Sequence, residues 1–321
     1  MGGPSPAAAQ NKAAPSPDVV AVLSGDNKNA TELSFVGRSG QIYEPTGTTW
    51  KRKHLGGIAS DVLGAVKAGS KLYAVSKRTP MFRRVNGVWM ATPLANRGWA
   101  AFSDDGAVIM IALGRHLYQL QGSSWKRFAT AARRVTAIYP AAKKRVYVAT
   151  TRGRLRRTDG NTMAVIKNPL PTDDRVVMML GRPKGELYGV SKLGSILKIG
   201  ASSATVVTLD PALEGLTIQV LGHGPKKAIY GAGVIEATDG SKSFVMVEMA
   251  GGAIKEVMKL PALAPGDRYT VVHTARDGRL VVAMLSGQVR IRRKDGTWEE
   301  RQVSGEAPEI KASVLAPARS R

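Results

Sequence analysis

Between residues 18 and 304, apolar and polar side chains alternate in short runs, and each run ends at Gly, Asn, Asp or Pro. A two-residue period broken by frequent turn signals predicts half-buried β-strands, and a 3.6-residue helical period is hard to find. The clearest stretch is Arg268 to Val303. It reads as strands over Tyr269 to Thr274, Leu280 to Leu285, Gln288 to Arg292 and Thr297 to Val303, with a first turn at Arg276-Asp277-Gly278. Lys294-Asp295-Gly296 closes the last hairpin, because Asp-Gly readily adopts the positive φ angles of tight turns.

The same unit recurs along the chain. Its approximate bounds are 18–55, 61–94, 98–130, 134–171, 175–211, 216–261 and 268–303. Trp50 and Trp89 stand 39 positions apart, Trp125 follows 36 further on, and Met163 takes the same column 38 beyond that. A period near forty is that of a four-stranded propeller blade. The second-to-third turn repeats as Gly, any residue, aliphatic, from Gly40 to Ile42, Gly153 to Leu155, Gly194 to Ile196 and Gly287 to Val289. The expectation is an all-β fold, a seven-bladed β-propeller of four-stranded antiparallel blades. Each blade keeps its own four strands, and the ring closes end to end. The sixth unit carries an insertion, VIEATDGSKS, between its second and third strands. Residues 1–17 read as a disordered Ala/Pro-rich leader or linker, 18–304 as the propeller, and 305–321 as a loose C-terminal tail.

Leu187-Tyr188-Gly189-Val190-Ser191, followed by Gly194-x-Ile196-x-Lys198, and Asp295-Gly296-Thr297-Trp298 resemble the repeats of two-component-regulator and related WD40-like bacterial propellers. That resemblance implies a sensor or interaction module.

Candidate chemistry is sparse. The chain has no cysteine, which removes disulfides, thiolate metal sites and cysteine nucleophiles. It has no run of 18 apolar residues of the kind that crosses a membrane as a helix. His223 and His273 fall near the ends of inner strands, at the expected channel, but a metal site wants three or four converging ligands and no carboxylate accompanies them. The acidic pairs Asp104-Asp105 and Asp173-Asp174 read as turn or junction caps. Glu299-Glu300 should point to opposite faces of one strand. Gly222-His223-Gly224 and Gly231-Ala232-Gly233 lack a phosphate-binding continuation. No catalytic residue, metal ligand or cofactor is assigned, and an enzyme of the hydrolase or lyase kind would have to work at the channel mouth.

Charge changes the picture. The net charge is +23. Residues 1–171 hold 26 Lys and Arg against 8 Asp and Glu, a net of +18, whereas the remainder holds 21 against 16, a net of +5. The cations cluster at Lys51, Arg52 and Lys53; Arg83 and Arg84; Lys126 and Arg127; Arg133 and Arg134; Lys143, Lys144 and Arg145; and Arg152, Arg154, Arg156 and Arg157. Solubility alone does not require one sign. Blades one to four are therefore expected to dock on an anionic macromolecule: an acidic protein, a nucleic-acid backbone, a peripheral anionic membrane surface or an acidic glycan. Trp50, Trp89 and Trp125 stand near basic residues, as base-stacking aromatics would, but their regular spacing reads as packing. The leader and the absence of cysteine point towards a bacterial envelope, and a cytoplasmic assembly shows the same features.

Overall fold

A computed structural model describes residues 17–23, 30–54, 57–58, 61–68, 71–76, 81–91, 100–104, 108–122, 124–142, 144–182 and 185–304. Lys143, the leader up to residue 16, Asp105 and the tail from residue 305 lie outside the described residues.

The described residues form 28 strands and three short 3-10 turns, with no α-helix. Strands β1–β4 are Val19–Leu23, Ser34–Gly37, Ile42–Thr46 and Thr49–His54; β5–β8 are Val62–Ala68, Lys71–Ser76, Met81–Val85 and Val88–Ala91. Strands β9–β12 are Ala100–Asp104, Ile109–Leu113, His116–Gln121 and Ser124–Thr130; β13–β16 are Val135–Ala142, Arg145–Thr150, Leu155–Thr158 and Met163–Ile166. Then β17–β20 are Val176–Gly181, Leu187–Ser191, Ile196–Ile199 and Ala204–Val206; β21–β24 are Leu216–His223, Ile229–Glu236, Lys242–Ala250 and Ala253–Leu260. Finally β25–β28 are Tyr269–Thr274, Leu280–Met284, Gln288–Arg292 and Trp298–Ser304.

Hydrogen bonding joins these into four sheets of four strands and one of twelve. The twelve-stranded sheet arises from two parallel bridges. His223 on β21 faces His273 on β25, and Val303 and Ser304 on β28 face Trp50 and Lys51 on β4. First strands touch in order, β1 to β5, β9, β13, β17, β21 and β25, and β25 also lies against β1. Val19 N–H donates to the Leu285 carbonyl at 3.1 Å across that last seam.

The core is divided into layers between successive meanders. Second strands are sandwiched on both faces, which is why β18 (LYGVS) and β26 (LVVAM) are buried throughout. Outer strands such as β12 are mostly wet. One layer joins the two ends of the chain, packing Phe35, Tyr43 and Trp50 against Val281, Ile291 and Val303. Its aromatic pair, Phe35 and Trp50, meets edge to face at 5.1 Å, and Trp50 Nε1–H donates to the Leu33 carbonyl at 2.5 Å. Trp89 is likewise buried and donates to the Gly40 carbonyl at 2.7 Å. Trp125 is half-buried, edge-on to Tyr73 at 5.8 Å.

Gly40, Gly153, Gly194 and Gly287 all adopt positive φ at the repeated turn, where a β-carbon strains the backbone. Two expectations need adjusting. The VIEATDGSKS insertion is partly strand: Glu236 pairs with Lys242, so half of it lengthens β22 and β23, and Ala237 to Ser241 turn. Asp104 is the last residue of β9, paired with Ile109, rather than a turn residue. In each meander the second-to-third turn and the exit to the next meander share one end, called here the upper rim; the other two turns form the lower rim.

Candidate anion-docking site

On the upper rim, backbone hydrogen bonds stitch three arginine-bearing segments together. Ala131 N–H donates to the Arg115 carbonyl at 2.7 Å, and Val135 N–H to that of Gly114 at 2.8 Å. These bonds tie the β12–β13 connection, which carries Arg133 and Arg134, to the β10–β11 turn. Thr151 N–H donates to the Arg134 carbonyl at 2.9 Å, and Thr150 N–H to that of Arg154 at 2.9 Å, adding the β14–β15 turn with Arg152 and Arg154. Arg115, Arg134, Arg152 and Arg154 are exposed and Arg133 is half-buried.

Arg152 has a φ of 63° beside Gly153 at 64°. A β-carbon on Gly153 would stand 2.7 Å from the Asp174 carbonyl and 2.9 Å from that of Pro171. The turn is thus wedged against the next connection, and Arg152 holds a left-handed backbone that arginine seldom adopts. Asp174, buried at that connection, accepts from Arg175 N–H at 2.7 Å and Leu193 N–H at 3.2 Å. It caps backbone, as its place at a blade junction predicts.

Asp174, the buried carboxylate at this rim, is thus engaged by backbone donors. Among the described cations of residues 1–171, only Arg38 lies within ion-pair range of one, at 3.7 Å from Asp18 and 3.9 Å from Asp61. The rest of the chain pairs its charges repeatedly, as in Lys198–Glu186 at 2.8 Å and Arg290–Glu300 at 2.8 Å. His116, which meets Thr130 Oγ1 at 3.1 Å, reports the resulting field. Its pKa is held below the ordinary histidine value by burial, then by Arg127 and Arg115.

The remaining predicted cations do not join this cluster. Arg127 and Lys144 line a lower-rim crevice of about 770 Å³ with Gln119, Gln121, Phe128 and Asn161. Arg145 is exposed beside it at the start of β14. Lys51, Lys53 and Lys126 lie exposed on outer strands, while Arg52, Arg83, Arg84, Arg156 and Arg157 are half-buried on third and fourth strands. Burial lowers the Arg84 pKa from its ordinary value, Glu44 partly opposing it. Arg115, absent from the predicted set, joins the cluster through fold. It is a single arginine in sequence, and the only local signal is its place after Gly114 at a hairpin turn.

His223 and His273 do meet, as cross-strand neighbours. Burial, then His223, lowers the His273 pKa from its ordinary value, favouring the neutral ring. No group of three His, Cys, Asp or Glu residues among those described could hold a metal ion. Glu299 and Glu300 point apart as expected: Glu299 meets Arg293 at 3.5 Å and Arg301 at 2.5 Å, and Glu300 meets Arg290. No helix among the described residues is long and apolar enough to cross a membrane.

No protein-family model matches the chain, and no curated protein does. Solved structures do match. The WD40 β-propeller domain of Doa1 is 15% identical with a TM-score of 0.62, covering 88% of this chain and 96% of that one. The β-propeller domain of Cps50 (Swd1) from Myceliophteria thermophila is 13% identical with a TM-score of 0.59, covering 90% and 98%. YCF48 bound to D1 peptide is 13% identical with a TM-score of 0.54, covering 90% and 95%. At such identities the likeness concerns shape alone, and in shape the chain is a WD40-like β-propeller.

Proposed function

We propose that this chain is a closed, seven-bladed, non-catalytic propeller spanning residues 18–304, a scaffold that docks an acidic protein through the basic sector of blades one to four. Seven interior layers, each between successive four-stranded meanders and one joining first to last, support the blade count and the closure.

One observation carries the docking reading: Arg115, Arg133, Arg134, Arg152 and Arg154 are stitched onto one rim, and none has a carboxylate within ion-pair range among the described residues. Charge held together on rigid turns without internal neutralisation favours an external anion. Arginine forks suit carboxylates and phosphates alike. The solved YCF48–D1 complex makes a peptide a natural occupant for a propeller of this shape. The second reading, direct nucleic-acid binding, draws on the same charge, but Trp50 and Trp89 are buried and offer no stacking platform.

The test is capture from native lysate at low and high salt, comparing wild type with Arg133→Glu/Arg134→Glu/Arg152→Glu/Arg154→Glu. Loss of one defined protein in the variant supports docking, and bulk nucleic acid with a steep salt slope supports the second reading. Identical material from both proteins at every salt concentration removes the basic sector from function.

A further inference from the structure

A second crevice, of about 300 Å³, opens on the lower rim between β21–β24 and β25–β28, outside the basic sector. Its two walls differ in kind. Tyr230 and Leu280, 8% and 3% exposed, form an apolar floor with the partly buried Met258 on β24. The facing wall, from the β25–β26 and β27–β28 turns, presents Arg279, Arg292 and Lys294.

Only one of these cations is neutralised locally. Asp277 Oδ2 receives Arg279 Nε–H at 2.8 Å and the Ala30 N–H at 3.1 Å, while Oδ1 receives the Arg279 N–H at 3.0 Å. That carboxylate is saturated. Neither Arg292 nor Lys294 lies within ion-pair range of a carboxylate among the described residues. Among the described residues, then, two cations beside an apolar floor have no direct carboxylate partner.

We infer that this crevice binds a small amphiphilic anion, a single aromatic or branched aliphatic body carrying one carboxylate or phosphate. Its apolar body lies on Tyr230, Met258 and Leu280, and its oxyanion takes charge-assisted hydrogen bonds from Arg292 and Lys294. The volume matches about ten water volumes at roughly 30 Å³ each. It sits at the lower end of small-molecule sites, which suits a body of one ring. The anion is either a free metabolite or a side chain of a bound peptide, since both present the same chemistry. This site does not depend on the upper-rim docking reading.

The test uses the full chain labelled with ¹³C at methionine methyls, with the Met258 resonance identified by its loss in Met258→Leu. Phenyl phosphate, inorganic phosphate, phenol and a short phosphotyrosine peptide are titrated separately. Phenyl phosphate should shift the Met258 methyl saturably. Inorganic phosphate and phenol should each bind at least about tenfold more weakly, because each offers one half of the complementarity. Lys294→Gln should weaken phenyl phosphate about tenfold, while Arg152→Glu/Arg154→Glu should leave it unchanged. Tighter binding of the peptide than of phenyl phosphate assigns the site to a partner's side chain, and weaker binding assigns it to a free metabolite. No saturable Met258 shift, equal binding of inorganic phosphate, or an unaffected Lys294→Gln variant overturns the inference.

Discussion

Gly222→Ala should open the seam between β21 and β25. An alanine β-carbon at Gly222 would lie 1.9 Å from the Val272 carbonyl oxygen, 2.6 Å from its carbon and 2.7 Å from the Val272 Cβ. Real β-carbon contacts do not fall below 3.0 Å, so the two strands must part by at least 1.1 Å, the difference between 3.0 and 1.9. The obstacle is backbone, which no rotamer change relieves. A shift of that size carries a normal N–H···O bond beyond bonding range, which breaks the adjoining His223–His273 bridge. Overpacking costs about 1–3 kcal/mol, and losing the two backbone bonds of a bridge adds about 1 kcal/mol each, so the total is about 3–5 kcal/mol. At about 2.1 cal/mol/K per residue, a propeller of this size loses about 5–8 °C in Tm. Gly57→Ala is the control, because its β-carbon meets nothing within 4 Å among the described residues and its φ is not positive; it should stay within about 0.5 kcal/mol. Thermal melts followed by far-UV circular dichroism measure both. Histidine NMR adds a local readout: opening the seam hydrates His273 and raises its depressed pKa. A Gly222→Ala protein that melts within about 1 °C of wild type with an unchanged His273 titration would refute the close approach.

Trp89→Phe removes the indole donor from the buried Gly40 carbonyl and should cost about 1–3 kcal/mol. Trp125→Phe, whose Nε1 has no hydrogen-bond partner among the described residues, should cost less, and chemical denaturation separates the two. His116 should titrate closer to its ordinary 6.5 in Arg115→Gln and Arg127→Gln, and in high salt, because burial alone then holds it down; histidine NMR that finds no change removes the positive field. His273 has a folded pKa below its unfolded value. The unfolded chain therefore binds more protons below about pH 6.5, and the contribution of a neutral His273 is full above that pH and declines as pH falls towards the folded pKa. His273→Gln should flatten that part of a stability-against-pH curve. Arg152→Asn should stabilise the fold by about 0.5–1 kcal/mol, since asparagine tolerates the left-handed backbone better, while weakening partner capture.

The residues that disclosed the fold and those that form the sites carry different kinds of information. Strand identity was legible because a two-residue period and a glycine at the second-to-third turn are local, and Gly40, Gly153, Gly194 and Gly287 all take the positive φ their spacing foretold. The tryptophan column was legible for the same reason, although its members differ in depth: Trp50 is fully buried, whereas Trp125 sits half-buried nearer the edge. The seams between blades were not legible. Gly222-His223-Gly224 reads in sequence as a glycine-rich spot without a motif, and its purpose appears only when Val272, 50 positions on, lies against Gly222. Charge shows the same division. Composition placed the excess in the first half, but antiparallel topology sent neighbouring cations to opposite rims, putting Arg134 with Arg152 above and Lys144 with Arg127 below. It also brought in Arg115, which has no basic neighbour in sequence apart from His116. The lower-rim crevice extends this further. Tyr230 and Lys294 belong to different repeats, and each is unexceptional within its own, so a site built between blades leaves no local mark in the chain. In a propeller, therefore, repeats announce the scaffold, and function is sought where consecutive repeats meet.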